Sequence, residues 1–303
     1  MRVLFFGMAS ITSTIVLESL LAANIDVCGV VLAAGRFTRA TQPAPIVQLV
    51  PPLLTLQPTA HQPTIADIGW ARGLPVFELR HASTEVAATL AALKPDIACV
   101  ACFPLRIPPV LLALPPHGYF NLHPSLLPAH RGPAPLFWAF HAGEERTGVT
   151  IHQMDAQLDS GPIVRQARFA LPDGMTEHAA EEGTARLGAK LLLEALADCA
   201  TGTLAAQPQP PGGSYEPWPT AEAWRIGADW SARRAFNFMR GTAGWGQPYR
   251  ISVGGRELTL AQAMRFDAAV TLPALLAIRG EEVAIQCAPG VLVARLAETT
   301  GVV

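Results

Sequence analysis

Short apolar runs alternate with helical patterns along the first hundred residues, and this alternation constrains the fold of the chain more than any other feature. Residues 2–6, 25–32 and 96–102 are apolar almost throughout, as strands are when both faces of a sheet are covered. Residues 74–79 add a shorter strand-like run. Helical spacing occupies 10–23 and 83–93, and Ser83 stands at the N-cap position of the second helix. Strand, helix and strand in this order return each strand parallel to the last. The pattern therefore predicts an α/β fold with a doubly wound, mostly parallel sheet. In such sheets ligands bind beyond the carboxyl ends of the strands, where the strand order switches.

A further strand runs into Phe120-Asn121-Leu122-His123-Pro124-Ser125-Leu126-Leu127-Pro128. Side chains at i and i+2 share one face of a strand, so Asn121 and His123 point the same way. One offers N–H donors and the other a group that titrates near neutrality. Such a pair suits the oxyanion of an acyl transfer and lacks only a carboxylate. Asp159, in Leu158-Asp159-Ser160-Gly161, is the candidate. Residues 147–154 and 163–171 predict a strand pair, with the loop at 155–161 bent back towards the site. A long helix follows over 176–199, with Thr176 as its N-cap. An isolated Asn-x-His is most often a structural pair, so the assignment depends on what surrounds it.

With 303 residues, two domains are expected. The net charge of −2 supplies no global positive field for nucleic acid and leaves only a local basic patch for that purpose. The cysteines, Cys28, Cys99, Cys102, Cys199 and Cys287, form no disulfide framework and fit a reducing cytoplasm. Cys99 and Cys102 lie in an apolar run and read as core packing. No signal peptide is expected, and no segment approaches the roughly 20 apolar residues of a membrane span, so no membrane partner is expected. His117, His130, His141, His152 and His178 lack metal-ligand spacing and read as neutral surface or core groups. No metal is predicted.

Residues 1–206 are expected to form the catalytic domain. Residues 207–219, beginning Gln207-Pro208-Gln209-Pro210-Pro211-Gly212-Gly213, read as a linker, since prolines and glycines break helix and strand alike. Residues 220–303 follow as a smaller C-terminal β-barrel-like domain, with a helix at 231–240 and strands near 249–253, 257–261, 282–286 and 291–296. Gly254-Gly255 marks a hairpin turn. The proline-rich stretch 36–64 predicts a long loop, its prolines forbidding long regular structure.

The blocks Asn121 through Pro128, Arg131-Gly132, Thr147-Gly148-Val149-Thr150 and Asp155 through Ile163, in this order, resemble the folate-dependent formyltransferase family. The resemblance lies nearest the members that formylate methionyl-tRNA, and it implies a formyltransferase-like Rossmann variant with 10-formyltetrahydrofolate as co-substrate. It implies a triad in which Asn121 holds the formyl oxygen, a protonated His123 donates to it, and Asp159 favours the imidazolium and orders a water. It carries Phe103, Leu105, Arg106, Ile107 and Pro108 to the folate pocket, facing Met154, Asp155 and Leu158, with Ser125, Leu126, Leu127 and Pro128 in the same set. Arg131 would anchor the loop or the folate tail, and Ser125 would cap the turn. Asp229-Trp230-Ser231 and Gly244-Trp245-Gly246-Gln247-Pro248 resemble the C-terminal domain of the tRNA-specific members. The implied acceptor is initiator methionyl-tRNA, with an amino sugar nucleotide or other small amine, or water in a hydrolase, as alternatives. Two features bear on that choice. Gly7-Met8-Ala9-Ser10-Ile11 stands where the family has Gly-Thr-Pro, and the 36–64 loop carries only Arg36 and Arg39. Arg225, Arg233, Arg234, Arg240, Arg250 and Arg256 are the candidate phosphate ligands.

Overall fold

The computed structural model describes residues 1–34, 45–51, 63–81 and 83–297. They form two compact units, one of Met1–Arg131, Gly148–Arg168 and Glu182–Tyr215, the other of Gly132–Thr147, Phe169–Glu181 and the chain from Glu216 on.

The chain enters the first unit through β1 (Arg2–Gly7), α1 (Ile11–Ala22) and β2 (Asp26–Ala33), the predicted βαβ unit. Val3 and Phe5 join one core cluster while Leu4 and Phe6 join another, all fully buried. That is the period of two expected of a strand covered on both faces. Ser10 caps α1 by accepting from Ser13 N at 3.2 Å. After β3 (Ile46–Leu49) come α2 (Ile65–Ala71), β4 (Val76–Leu79), α3 (Thr84–Ala91), β5 (Ile97–Ala101), α4 (Pro109–Leu112) and β6 (Tyr119–His123). Next are α5 (Pro135–Ala142), β7 (Arg146–Gln153), β8 (Ile163–Ala170) and α6 (Glu177–Thr201). The sheet is eight-stranded and mixed, in the order β3-β4-β2-β1-β5-β6-β7-β8. Its central pairs β4/β2, β2/β1, β1/β5 and β5/β6 are parallel, whereas β3/β4 and β6/β7 are antiparallel. The order reverses between β1 and β5. There the buried Ser13 hydroxyl donates to Ala101 O at 2.7 Å and accepts from Met8 N at 3.1 Å, which fixes the Gly7 loop at the carboxyl edge.

Two details differ from expectation. The short edge strand β3 forms within the proline-rich stretch, because Ile46–Leu49 is free of proline and pairs antiparallel with β4. Most of the rest of the 36–64 loop, Arg36 and Arg39 included, falls on 36–44 and 52–62, outside the described residues. Cys99 is buried in β5 as expected, but Cys102 lies just past the strand end with φ 57° and is exposed.

The second unit continues through β9 (Arg225–Ile226), α7 (Ala232–Gly241), β10 (Tyr249–Val253), β11 (Arg256–Asp267), β12 (Leu276–Arg279), β13 (Glu282–Gln286) and β14 (Val291–Leu296). Its six-stranded sheet has the order β12-β13-β14-β11-β10-β9. Gly254 and Gly255, at φ 55° and 78°, make the two-residue turn between β10 and β11. Ser231 caps α7, whose Ala235, Phe238 and Met239 pack with Trp224, Trp230 and Tyr249 in one core. β11 runs well past the predicted 257–261, and β12 was not anticipated, since most of its side chains are exposed and it shows no apolar alternation. Among the described residues no helix is long and apolar enough to cross a membrane.

Candidate active site

β6 is central in the sheet, and its carboxyl end lies in the row of strand ends beside the switch point. Asn121 and His123 leave this end on the same face. The antiparallel register of β7 sets His152 opposite Asn121 and Thr150 opposite His123.

The turn after β6 is held by buried polar groups. Ser125, fully buried, donates to Ala129 O at 2.7 Å. Thr150 Oγ1 donates to Ser125 O at 2.7 Å and accepts from Leu127 N at 3.1 Å, while Gln166 Nε2 donates to Leu127 O at 2.9 Å. The turn thus presents His130 O to His123 Nε2 at 2.8 Å. A carbonyl can only accept, so Nε2 carries the hydrogen and Nδ1 is left facing Asp159 Oδ1 at 3.7 Å. Burial outweighs the attraction of Asp159 and the His130 carbonyl and holds the His123 imidazole below its ordinary 6.5, with His152 and His130 adding to the depression. Burial thus works against the charged imidazole that the resemblance implied, while Asp159 works for it.

Asp159 is brought in by the 155–161 loop. Its backbone takes φ 52°, a conformation aspartate tolerates, and its carboxylate is buried beside both histidines. The Asp155 carboxylate braces the loop by accepting from Gln157 N and Ser160 Oγ, each at 2.9 Å. Gly161 closes it. A Cβ there would stand 1.8 Å from Gln153 O.

Asn121 Nδ2 lies 3.0 Å from His152 Nε2 and 3.5 Å from Asp159 Oδ1. Because His152 Nδ1 donates to Gln153 O at 3.0 Å, its Nε2 accepts one Asn121 hydrogen and orients the amide. The second hydrogen is donated to Asp159 Oδ1 over the long distance of 3.5 Å, which another acceptor could displace. His152 thus belongs to the constellation, contrary to the neutral core role read from sequence, and His130 contributes its carbonyl. The signal for His152 was the strand register, which a linear scan for metal spacing does not use.

The other proposed residues divide in two. Leu105, Arg106, Met154, Asp155 and Leu158 lie on two loops joined by a hydrogen bond from the Arg106 guanidinium to Ala156 O. Leu105 and Leu158 expose 36% and 54% of their surface, which leaves apolar cover at this mouth. Phe103 stands edge-on to Phe6 at 5.4 Å and is partly buried, while Pro108 opens α4. In contrast, Ile107, Ser125 and Leu127 are buried in packing or turn interactions, and Leu126 and Pro128 are partly covered beside them. Arg131 donates to Gln209 Oε1 from Nε at 3.1 Å and from a terminal nitrogen at 2.7 Å. Among the described residues no group of three or more His, Cys, Asp or Glu side chains could hold a metal ion.

The formyl transferase family model matches residues 1–196. The methionyl-tRNA formyltransferase of Chloroflexus aggregans is 39% identical over 216 residues, covering 69% of this chain and 62% of that protein. That of Aromatoleum aromaticum is 36% identical over 232 residues, covering 73% and 67%. The chain thus matches under two thirds of the length of the first of these relatives. In three dimensions it is similar to an N-formyltransferase from Helicobacter canadensis, solved with folinic acid and dTDP-3-aminofucose. The TM-score is 0.68 at 15% identity over 98% of this chain and 99% of that one, a likeness of fold.

Proposed function

This chain belongs to the formyl transferase family, and from that premise we propose that it transfers a formyl group from 10-formyltetrahydrofolate to an amine, the acceptor being initiator methionyl-tRNA. The observation that carries this reading is the convergence of Asn121, His123 and Asp159 at the carboxyl end of β6. A folate suits the residues present: Leu105 and Leu158 offer apolar cover to a flat ring on loops that Arg106 ties together. The co-substrate supplies the carbonyl carbon and its oxygen. The Asn121 N–H that Asp159 holds only at 3.5 Å turns to that oxygen as it gains charge. His123 Nδ1, uncharged at rest, receives a proton from the attacking amine, directly or through a water, and returns it to the folate nitrogen as the bond from that nitrogen to the formyl carbon breaks; the buried Asp159 carboxylate stabilises the imidazolium in between. His152 holds the Asn121 amide in the orientation this needs. In this reading residues 1–206 catalyse, 207–219 connect, 220–303 form the barrel-like module, and the enzyme works in the cytoplasm.

A specific observation favours a second acceptor class, a small amine such as an amino sugar nucleotide. Most of the candidate phosphate ligands are engaged within their own unit. Arg233 bonds Asp173 at 2.7 Å and also Glu145, and Arg234 donates to His141 O while lying 3.8 Å over the Trp230 ring. Arg225 pairs with Glu257, and Arg250 with Glu222. Among the described residues Arg240 and Arg256 form no ion pair, so they are better first targets than Arg233 and Arg234. If tRNA is the acceptor, the Arg240→Ala, Arg256→Ala double variant weakens tRNA binding. It also flattens the log-log salt dependence by about 0.7 to 0.9 for each phosphate no longer neutralised. A filter-binding salt series checks this. Absence of tRNA binding by the wild type at low salt removes tRNA and leaves the small amine.

A further inference from the structure

The segment 207–215 does more than connect. Gln207 forms an antiparallel bridge with Ile163, through Ile163 N to Gln207 O at 2.7 Å and Gln207 N to Ile163 O at 2.8 Å. This aims Gln209 at the loop that carries Asp159. Gln209 Nε2 donates to Asp159 O at 2.7 Å and to Gly161 O at 2.9 Å, while its Oε1 accepts from Arg131. Five residues on, Ser214 holds the other side of the site. Its Oγ accepts from His130 N at 2.9 Å, its N donates to Pro128 O at 3.1 Å, and its O accepts from Arg131 N at 3.1 Å. Gly213 is required there, because a Cβ would lie 2.2 Å from Pro128 O. One short segment thus grips both the loop whose carbonyl fixes His123 and the loop that delivers Asp159.

We infer that Gln209 is a positioning residue, which sets the Asp159 carboxylate against His123 Nδ1 by binding the Asp159 loop and Arg131 at once. Only an amide can fill the place, since it must donate to two carbonyls and accept from a guanidinium. A glutamate keeps the length and the Arg131 partner but turns an acceptor towards Asp159 O and Gly161 O. A methionine keeps the bulk and loses both. The groups facing His123 are Asp159, His152 and both the backbone and the imidazole of His130, and of these only Asp159 favours the charged imidazole through its own charge. Withdrawing Asp159 therefore lowers the His123 titration point.

The test uses the full chain as wild type, Gln209→Glu, Gln209→Met and Asp159→Asn. The effect on turnover rests on the formyl-transfer reading above; the effect on titration does not. Both Gln209 variants are expected to lose about 10- to 100-fold in kcat, as small displacements of a catalytic group do, with KM for 10-formyltetrahydrofolate within about two-fold. By NMR of the histidine ring C–H signals, His123 is expected to titrate lower than in wild type, in the direction in which Asp159→Asn moves it. The backbone bridge at Gln207 holds the segment independently of position 209, and titration is read from the folded population established by thermal melting. If both variants titrate His123 as wild type does and keep its kcat, whatever happens to their melting temperature, the inference is overturned. A wild type that transfers no formyl group refutes the proposed function while the titration still decides the role of Gln209.

Discussion

His123→Ala is expected to lower the rate of formyl transfer by about 1,000-fold while leaving the KM for 10-formyltetrahydrofolate within a few-fold. His123 takes up charge only as the reaction proceeds, so its loss falls on the transition state and not on ground-state binding. Asn121→Ala is expected to cost about 100- to 1,000-fold, the usual effect of removing one donor to a developing oxyanion. The geometry makes the losses separable from misfolding. His123 Nε2 is bonded to a carbonyl of a turn that Ser125, Thr150 and Gln166 hold without it, so the scaffold survives the truncation. Single-turnover formylation under saturating folate checks both variants. Near wild-type rates in either would remove that residue from the chemistry.

Gly161→Ala is the second large effect, and it reaches the site through the backbone alone. A Cβ at 161 would meet Gln153 O at 1.8 Å. Gln153 cannot give way easily, since its N is bonded to Pro162 O at 2.9 Å and β7 is paired with β6. The 155–161 loop must shift instead, and Asp159 shifts with it. We expect a loss of about 1 to 3 kcal/mol in stability, as for other overpacked sites, or roughly 3 to 10 °C in Tm. Turnover at a temperature where the variant remains folded should drop as far as in Asp159→Asn. Thermal melting beside steady-state kinetics checks this; a variant that melts and turns over like wild type contradicts the account of the loop.

What could be read from the chain follows the reach of each interaction. β1, α1 and β2 were legible because their patterns are local: Val3 to Phe6 alternate between two cores, and in α3 Ser83 announces the helix start by capping chemistry. Asn121 and His123 were legible for the same reason, being two residues apart on one strand. Asp159 could be proposed only as the carboxylate such a pair lacks. His152 escaped because its place opposite Asn121 comes from antiparallel register across 31 residues. Gln209 escaped because prolines and glycines mark where helix and strand stop and say nothing of which loops the stopped chain then grips. The balance of forces on the His123 charge was not legible for a further reason. Nearness to Asp159 argues for a proton, and the stronger opposing effect, desolvation, emerges only when the burial of the ring is known.

The central claim is that the Asn121, His123 and Asp159 site moves a formyl carbon from a folate to an amine. Its most direct measurement follows the label from 10-formyltetrahydrofolate carrying carbon-14 in the formyl group, offered to the full chain with methionyl-tRNA, with an amino sugar nucleotide, or with neither. The account predicts that label arrives on one of the two amines in step with tetrahydrofolate, one for one, and that His123→Ala stops both. Release of label as formate at the same rate whether or not an amine is present, or no release at all, would contradict it.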